Sequence, residues 1–226
     1  MQSQQKTRVK ICCIANVEEA QLAIQYGASA IGLVSAMPSG PGPISEEQIT
    51  KIVSLIPSTI ETFLLTSKQA AKEIIEQQRR TKTSTLQIVD SLPFEHYEIL
   101  RKELPSIHIV QVIHVRDEQS ITEAVRSVPY ADALLLDSGN PSLAVKELGG
   151  TGRVHDWNIS RKIRESVQIP VYLAGGLTAE NVRQAITHVQ PFGVDVCSGV
   201  RTNGKLDEHK LANFFAAVSH ASMEIN

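Results

Sequence analysis

A thiol and a carboxyl, Cys12 and Asp137, close two runs rich in aliphatic residues, RVKICCI over 8–14 and ADALLLD over 131–137. Placed across one pocket, such a pair can serve as base and acid in the same reaction. Glycines offer a second kind of chemistry. Ala174-Gly175-Gly176 and Ser198-Gly199 follow two further strand-like runs, and Gly149-Gly150 lies in a glycine-rich stretch beyond Asp137. Without a Cβ the backbone can bring its N–H groups against an anion, the usual way loops near helix N-termini hold phosphate. Each feature also has an ordinary reading: strand-end thiols pack, strand-end carboxylates cap loops, and glycine pairs make tight turns.

Strand alternation distinguishes the two adjacent cysteines. Lys10 and Cys12 share one face, Ile11 and Cys13 the other. If the Lys10 face points into a barrel, Cys12 belongs to the site and Cys13 packs beneath the helices. A lysine inside a barrel needs a partner or a ligand. Asp195, on the last strand, is the candidate, because the first and eighth strands of a closed barrel adjoin. Lys10 and Asp195 therefore join the binding set.

The elements that must position these residues repeat one unit, a short strand followed by a helix. Strands are expected at 8–14, 29–35, 60–65, 84–89, 107–114, 131–137, 169–174 and 193–198. Helices are expected near 17–26, 45–56, 67–79, 94–103, 117–127, 157–166, 178–188 and 207–221, with Ser45 and Thr178 as N-caps. Alternation of this kind implies parallel strands with right-handed crossovers. An open doubly wound sheet usually carries a glycine-rich turn after its first strand, and 12–16 has none. The expected fold is an α/β (β/α)8 TIM barrel, one domain over 1–226, with its site on the loops that follow the strands and phosphate after strands 7 and 8. The longest such loop, Ser138 to Asp156, contains four glycines and reads as a lid or binding loop.

Composition narrows the partners. The 226 residues are 42% hydrophobic with a net charge of −2, and the charges are interspersed, which argues against a nucleic-acid-binding stripe. No apolar run nears the ~18 residues of a membrane span. Met1 to Arg8 is polar and lacks the apolar core of a signal peptide. Three cysteines, two of them adjacent, and scattered histidines form neither a disulfide framework nor a zinc cluster. The expectation is a cytoplasmic protein, monomer or homodimer, that takes a small phosphorylated substrate, without metal, nucleic acid or membrane.

Several stretches together resemble the phosphoribosylanthranilate isomerase family of tryptophan biosynthesis. They are Lys10-Ile11-Cys12 with Asn16 and Glu19, Leu134-Leu135-Leu136-Asp137-Ser138, and Gly149-Gly150-Thr151-Gly152 with Asp156-Trp157. Leu173-Ala174-Gly175-Gly176-Leu177-Thr178 and Val194-Asp195-Val196-Cys197-Ser198-Gly199-Val200 complete the series. The resemblance implies an Amadori rearrangement of an N-phosphoribosyl arylamine to a 1-amino-1-deoxyribulose phosphate. It makes Asp137 the general acid that opens the furanose and Cys12 the base that takes the C2′ proton. It implies no metal or organic cofactor. An aldolase or epimerase would need a Schiff-base lysine or a metal triad, and Lys10 is the only lysine in a strand core.

The departures from the family pattern cluster. The loop after strand 2, Met37 to Ile44, lacks the family's carboxylate-binding Arg, whose position aligns with Gly42. The glycine after the catalytic cysteine is Cys13, strand 3 ends Leu64-Leu65-Thr66, and strand 4 reads Gln87-Ile88-Val89-Asp90 without its His. The Glu after Ser-Gly-Val is Arg201. All fall near the aromatic half of the substrate. They leave open a phosphosugar-binding barrel with another amine substrate or no catalysis, and they make Arg153 and Arg201 the candidates to replace the missing cation.

Overall fold

The computed structural model describes residues 7–224; Met1 to Lys6, most of the polar N-terminal segment discussed above, and residues 225–226 lie outside them. The strands are β1 (Arg8–Ile11), β2 (Ala30–Val34), β3 (Glu61–Thr66), β4 (Thr85–Ile88), β5 (His108–His114), β6 (Ala133–Asp137), β7 (Val171–Leu173) and β8 (Gly193–Val196). All pair parallel in chain order and β8 closes on β1, a closed TIM barrel. After them come α1 (Val17–Gln25), α2 (Glu46–Leu55), α3 (Ala71–Thr81), α4 (Phe94–Glu103), α5 (Gln119–Ser127), α6 (Trp157–Ser166), α7 (Val182–Val189) and α8 (Glu208–Glu224). Strands covered on both faces must be apolar throughout, which accounts for runs such as Ala-Leu-Leu-Leu in β6. One apolar shell lies between sheet and helices, with Ile11, Ile31, Leu64 and Leu134. A second fills the barrel, with Ala30, Phe63, Leu135 and Tyr172. Among the described residues no helix is long and apolar enough to cross a membrane.

The expected elements are all present, with informative differences at their ends. Ser45 caps α2 by accepting from the Gln48 N–H at 3.2 Å. Thr178 does not cap α7: its own N–H donates to Asn181 Oδ1 at 2.9 Å and its carbonyl accepts from Val182. Residues 178–181 therefore form a separate turn, and the helix starts at Val182. α3 begins four residues later than expected, at Ala71, because Thr66 Oγ1 accepts from the Lys68 N–H and holds that stretch as a turn. A small hairpin, β9 (Arg201–Thr202) and β10 (Lys205–Leu206), was not anticipated. Its signal was Asn203-Gly204, whose φ values of 50° and 78° suit a two-residue hairpin turn.

Candidate active site

A cavity opens at the C-terminal ends of the barrel strands, and Cys12, Asp137 and Asp195 all line it. Cys12 lies one residue past β1, where its N–H still donates to the Val196 carbonyl of β8 at 2.8 Å. Its sulfur points inward over β2: a Cβ added to Gly32 would stand 2.8 Å from Cys12 Sγ and 3.0 Å from Lys10 Nζ. Lys10 and Cys12 thus share the inner face, as alternation requires. The lysine and the thiol are no more than about 6 Å apart.

Cys13 does not pack beneath the helices. Its φ of 61° is left-handed, the conformation that glycine adopts without cost, and this turns the side chain into the barrel mouth among the inner residues. Alternation fails here because it assumes extended backbone. The same φ explains why a glycine suits this position in the family pattern.

The Lys10–Asp195 pair forms as expected. The two are register partners across β1 and β8, with Lys10 Nζ 2.9 Å from Asp195 Oδ1. Burial disfavours the lysine's charge, but Asp195 outweighs it and holds the pKa above the ordinary lysine range. Nζ also lies over the Phe63 ring at 5.1 Å from its centroid. Lys10 is wholly buried and does not itself reach the cavity wall, which its neighbours Asp195 and Cys12 do.

Asp137 ends β6 with Oδ1 accepting from the Ser138 N–H at 2.7 Å. Ser138 Oγ in turn bonds Thr151 Oγ1 at 2.7 Å, tying the strand end to the far side of the long loop. That loop lies across the mouth: Leu148, Gly149, Gly150, Thr151 and Gly152 line the cavity. Lys146 Nζ anchors it to Asp90 at the end of β4, 2.5 Å away, and Ser39 Oγ donates to the Lys146 carbonyl. The loops after β2 and β6 meet at glycines: a Cβ on Gly150 would stand 2.5 Å from Pro41.

Ala174, Gly175, Gly176 and Ser198 line the same cavity, with Gly199 directly behind Ser198. Gly175 and Gly176 have φ of 82° and 61°. Among the described residues no protein acceptor takes the N–H groups of Gly175, Gly176, Ser198 or Gly199. The loops after β7 and β8 are in close contact, since a Cβ on Gly199 would stand 2.0 Å from the Leu177 carbonyl. His155, which the sequence reading passed over, supports this region with Nδ1 2.9 Å from where a Gly175 Cβ would lie. Burial lowers its pKa to about 4 against the pull of Asp137 and Asp156, so it is neutral, and Nε2 bonds Ser160 Oγ at 2.7 Å.

Neither arginine proposed as a replacement cation lines the cavity, and Arg201 is engaged elsewhere. Arg201 is bound to Glu19 and to the Cys12 and Cys13 carbonyls, with Nη1–Oε1 and Nη2–Oε2 at 3.0 and 3.1 Å. Arg153 is engaged by Glu147. Among the described residues no lysine or arginine lines the cavity; its β2–β4 side presents Met37, Ser39, Leu65, Gln87 and Val89. Gln87 Oε1 is buried there without a protein partner. Nor can Gly42 take an arginine, because its φ is 82° and a Cβ would stand 2.6 Å from Cys13 Cβ.

A closed (β/α)8 barrel with a thiol, a carboxyl and open glycine amides gathered at the C-terminal end of its strands is a TIM-barrel enzyme with its site on the usual face. Comparison with known proteins supplies the particular branch. The family model for N-(5′-phosphoribosyl)anthranilate isomerase matches residues 9–217. The N-(5′-phosphoribosyl)anthranilate isomerase 2 of Methanosarcina mazei is 39% identical, with 92% of each chain covered. Phosphoribosyl anthranilate isomerase of Thermotoga maritima superimposes with a TM-score of 0.81 at 29% identity, over 95% of this chain and 99% of that one. A phosphoribosyl anthranilate isomerase in complex with reduced 1-(o-carboxyphenylamino)-1-deoxyribulose 5-phosphate gives 0.78 at 27% identity, with the same coverage. The chain belongs to the N-(5′-phosphoribosyl)anthranilate isomerase family and is an isomerase of tryptophan biosynthesis.

Proposed function

We propose that Asp137 and Cys12 are the acid and base of this isomerase and that the loops after β7 and β8 hold the substrate phosphate. Asp137 gives its proton to the furanose ring oxygen, the C1′–O bond breaks, and the substrate nitrogen takes up the positive charge as an iminium. Cys12 thiolate then removes the C2′ proton, and the electron pair moves into the C1′–C2′ bond to give an enolamine. Its tautomer is the 1-amino-1-deoxyribulose product. The substrate nitrogen holds the charge at each stage, so the side chains only move protons.

The supporting observation is that both groups line one cavity from strand ends on different sides of the barrel. Lys10, paired with Asp195, stands beside the Cys12 sulfur on the inner face of the barrel. The unpartnered amides of Gly175, Gly176, Ser198 and Gly199 offer a phosphate four donors, and Gly149 and Gly150 line the same cavity. The reading takes 1–226 as one domain carrying a whole site, acting on a small phosphorylated sugar-amine as monomer or homodimer in the cytoplasm.

Anthranilate is the default aglycone, but a cavity without a lining cation grips its carboxylate weakly. That observation favours a raised KM, or a related amine as the better substrate. A fluorescence assay with phosphoribosylanthranilate tests the reading, run beside complementation of a tryptophan-requiring strain lacking the isomerase. Turnover and growth are expected. No turnover, with tight binding of a ribose phosphate, would favour another amine or a binding role.

A further inference from the structure

The proposed mechanism employs one of three thiols at the barrel mouth. The other two, Cys13 after β1 and Cys197 after β8, face each other with their sulfurs 2.7 Å apart, although they are 184 residues apart in sequence. Both line the cavity that holds Cys12. Cys13 reaches this place only through its left-handed backbone. Closing the gap to the ~2.05 Å of a disulfide takes a movement of about 0.65 Å.

Access and reactivity fall in a useful order. Cys197 is half-buried and Cys13 buried, so a small oxidant meets Cys197 first. The hydrogen bond shared with Cys13, with Arg201 and Lys10 nearby, holds the Cys197 thiol below the ordinary thiol range. Hydrogen bonds to Cys12 and Cys197, together with burial, push Cys13 up. The accessible sulfur is thus the better thiolate, and the buried one is placed to resolve the intermediate.

We propose that Cys13 and Cys197 form a reversible disulfide at the active-site mouth that switches the isomerase off, with a small disulfide of the glutathione type as oxidant. The Cys197 thiolate attacks one sulfur of that disulfide, forming a mixed disulfide and releasing one thiolate. That thiolate accepts the Cys13 proton, and Cys13 sulfur attacks Cys197 sulfur and expels the second thiolate, which leaves as a thiol after protonation by water. Two protein thiols are oxidised and one small disulfide is reduced to two thiols. Bond formation draws Cys13 from the Pro41 carbonyl, now 3.6 Å from its sulfur, and shifts the backbone beside Cys12. The loss of activity rests on Cys12 being the base; formation of the bond does not.

The full chain is treated with oxidised glutathione, its remaining thiols are alkylated, and mass spectrometry is run beside the isomerase assay. The expected result is a protein that carries one alkyl group where the reduced protein carries three, is otherwise lighter by two hydrogens, and has its Cys12-Cys13 peptide linked to the Cys197 peptide. Activity falls to under about a tenth and returns with dithiothreitol. Because Cys12 and Cys13 share a peptide, two variants assign the bond: the link forms in Cys12→Ser and is absent in Cys13→Ser. Cys197→Ser, compared with its own reduced rate, keeps most of its activity under oxidant. A link that needs Cys12, stable glutathionylation without a link, or a link that leaves activity intact would overturn the proposal. If the link forms in Cys12→Ser while wild-type activity persists, the bond forms but does not switch the enzyme and the proposal falls; whether Cys12 is the base is read separately, from the turnover of reduced Cys12→Ser.

Discussion

Asp137 Oδ2 occupies the space that a side chain on Gly149 would need, 2.6 Å from the ideal Cβ position. The lid loop therefore sets the acid's rotamer, and only a glycine lets it. Gly149→Ala is expected to turn the carboxylate aside and to lower kcat about tenfold or more, with a smaller change in KM. The φ of 132° adds backbone strain of about 1–2 kcal/mol, visible in thermal denaturation. A variant with wild-type kcat would mean that the reaction does not use this orientation of Asp137.

The contact between the loops after β7 and β8 predicts a different defect. At Gly199 the neighbour of an added Cβ is the Leu177 backbone carbonyl, which cannot rotate away as a side-chain tip can. Gly199→Ala must part the two loops and misplace the amides assigned to phosphate. The inhibition constant for ribose 5-phosphate is expected to rise about tenfold or more, in a competitive inhibition series. Unchanged inhibition would place the phosphate elsewhere.

Arg201 is predicted to matter for stability and not for specificity. Glu19 accepts from Arg201, Ala15 N–H and Leu206 N–H, which joins α1, the Cys12–Cys13 turn and β10 at one carboxylate. Burial opposes the charge of Glu19, but these partners outweigh it and its pKa is lowered. A lowered carboxyl pKa contributes stability that is present above the unfolded value of ~4.3 and lost as pH falls through the folded one. Arg201→Ala should cost about 2 kcal/mol at neutral pH, roughly 4–8 °C in Tm. Its stability should also fall less steeply than that of wild type below pH ~4, in urea titrations across pH. A variant as stable as wild type at neutral pH would contradict this role.

The β2–β4 side of the cavity predicts a gain. Met37 lines it, is only half-buried, and lies on the loop where the family carries its arginine. Met37→Arg introduces a cation without the clash that excludes Gly42. KM for phosphoribosylanthranilate is expected to fall about tenfold with kcat changed less. No change in KM would indicate that Gln87 and the loop amides already satisfy the substrate carboxylate.

The fold was legible because β-branched and aliphatic runs alternate with amphipathic stretches, and strand parity together with barrel closure paired Lys10 with Asp195. What escaped depended on single backbone angles. Cys13 was assigned to the wrong side because a φ of 61° cannot be seen in a cysteine. Arg201 stood as a candidate for the substrate carboxylate because nothing local links it to Glu19, 182 residues away. His155 drew no notice since its place under Gly175 is a tertiary contact. The Asn203-Gly204 hairpin was readable and was passed over.

The central claim, that Cys12 and Asp137 move protons and do not merely hold the ligand, is tested most directly by separating kcat from binding in Cys12→Ser and Asp137→Asn. Turnover of phosphoribosylanthranilate is measured by fluorescence, and the affinity for reduced 1-(o-carboxyphenylamino)-1-deoxyribulose 5-phosphate by calorimetry. Each variant is predicted to lose about a hundredfold or more in kcat while its affinity stays within about fivefold of wild type. Equal losses in rate and affinity, or an unchanged rate in either variant, would contradict the account.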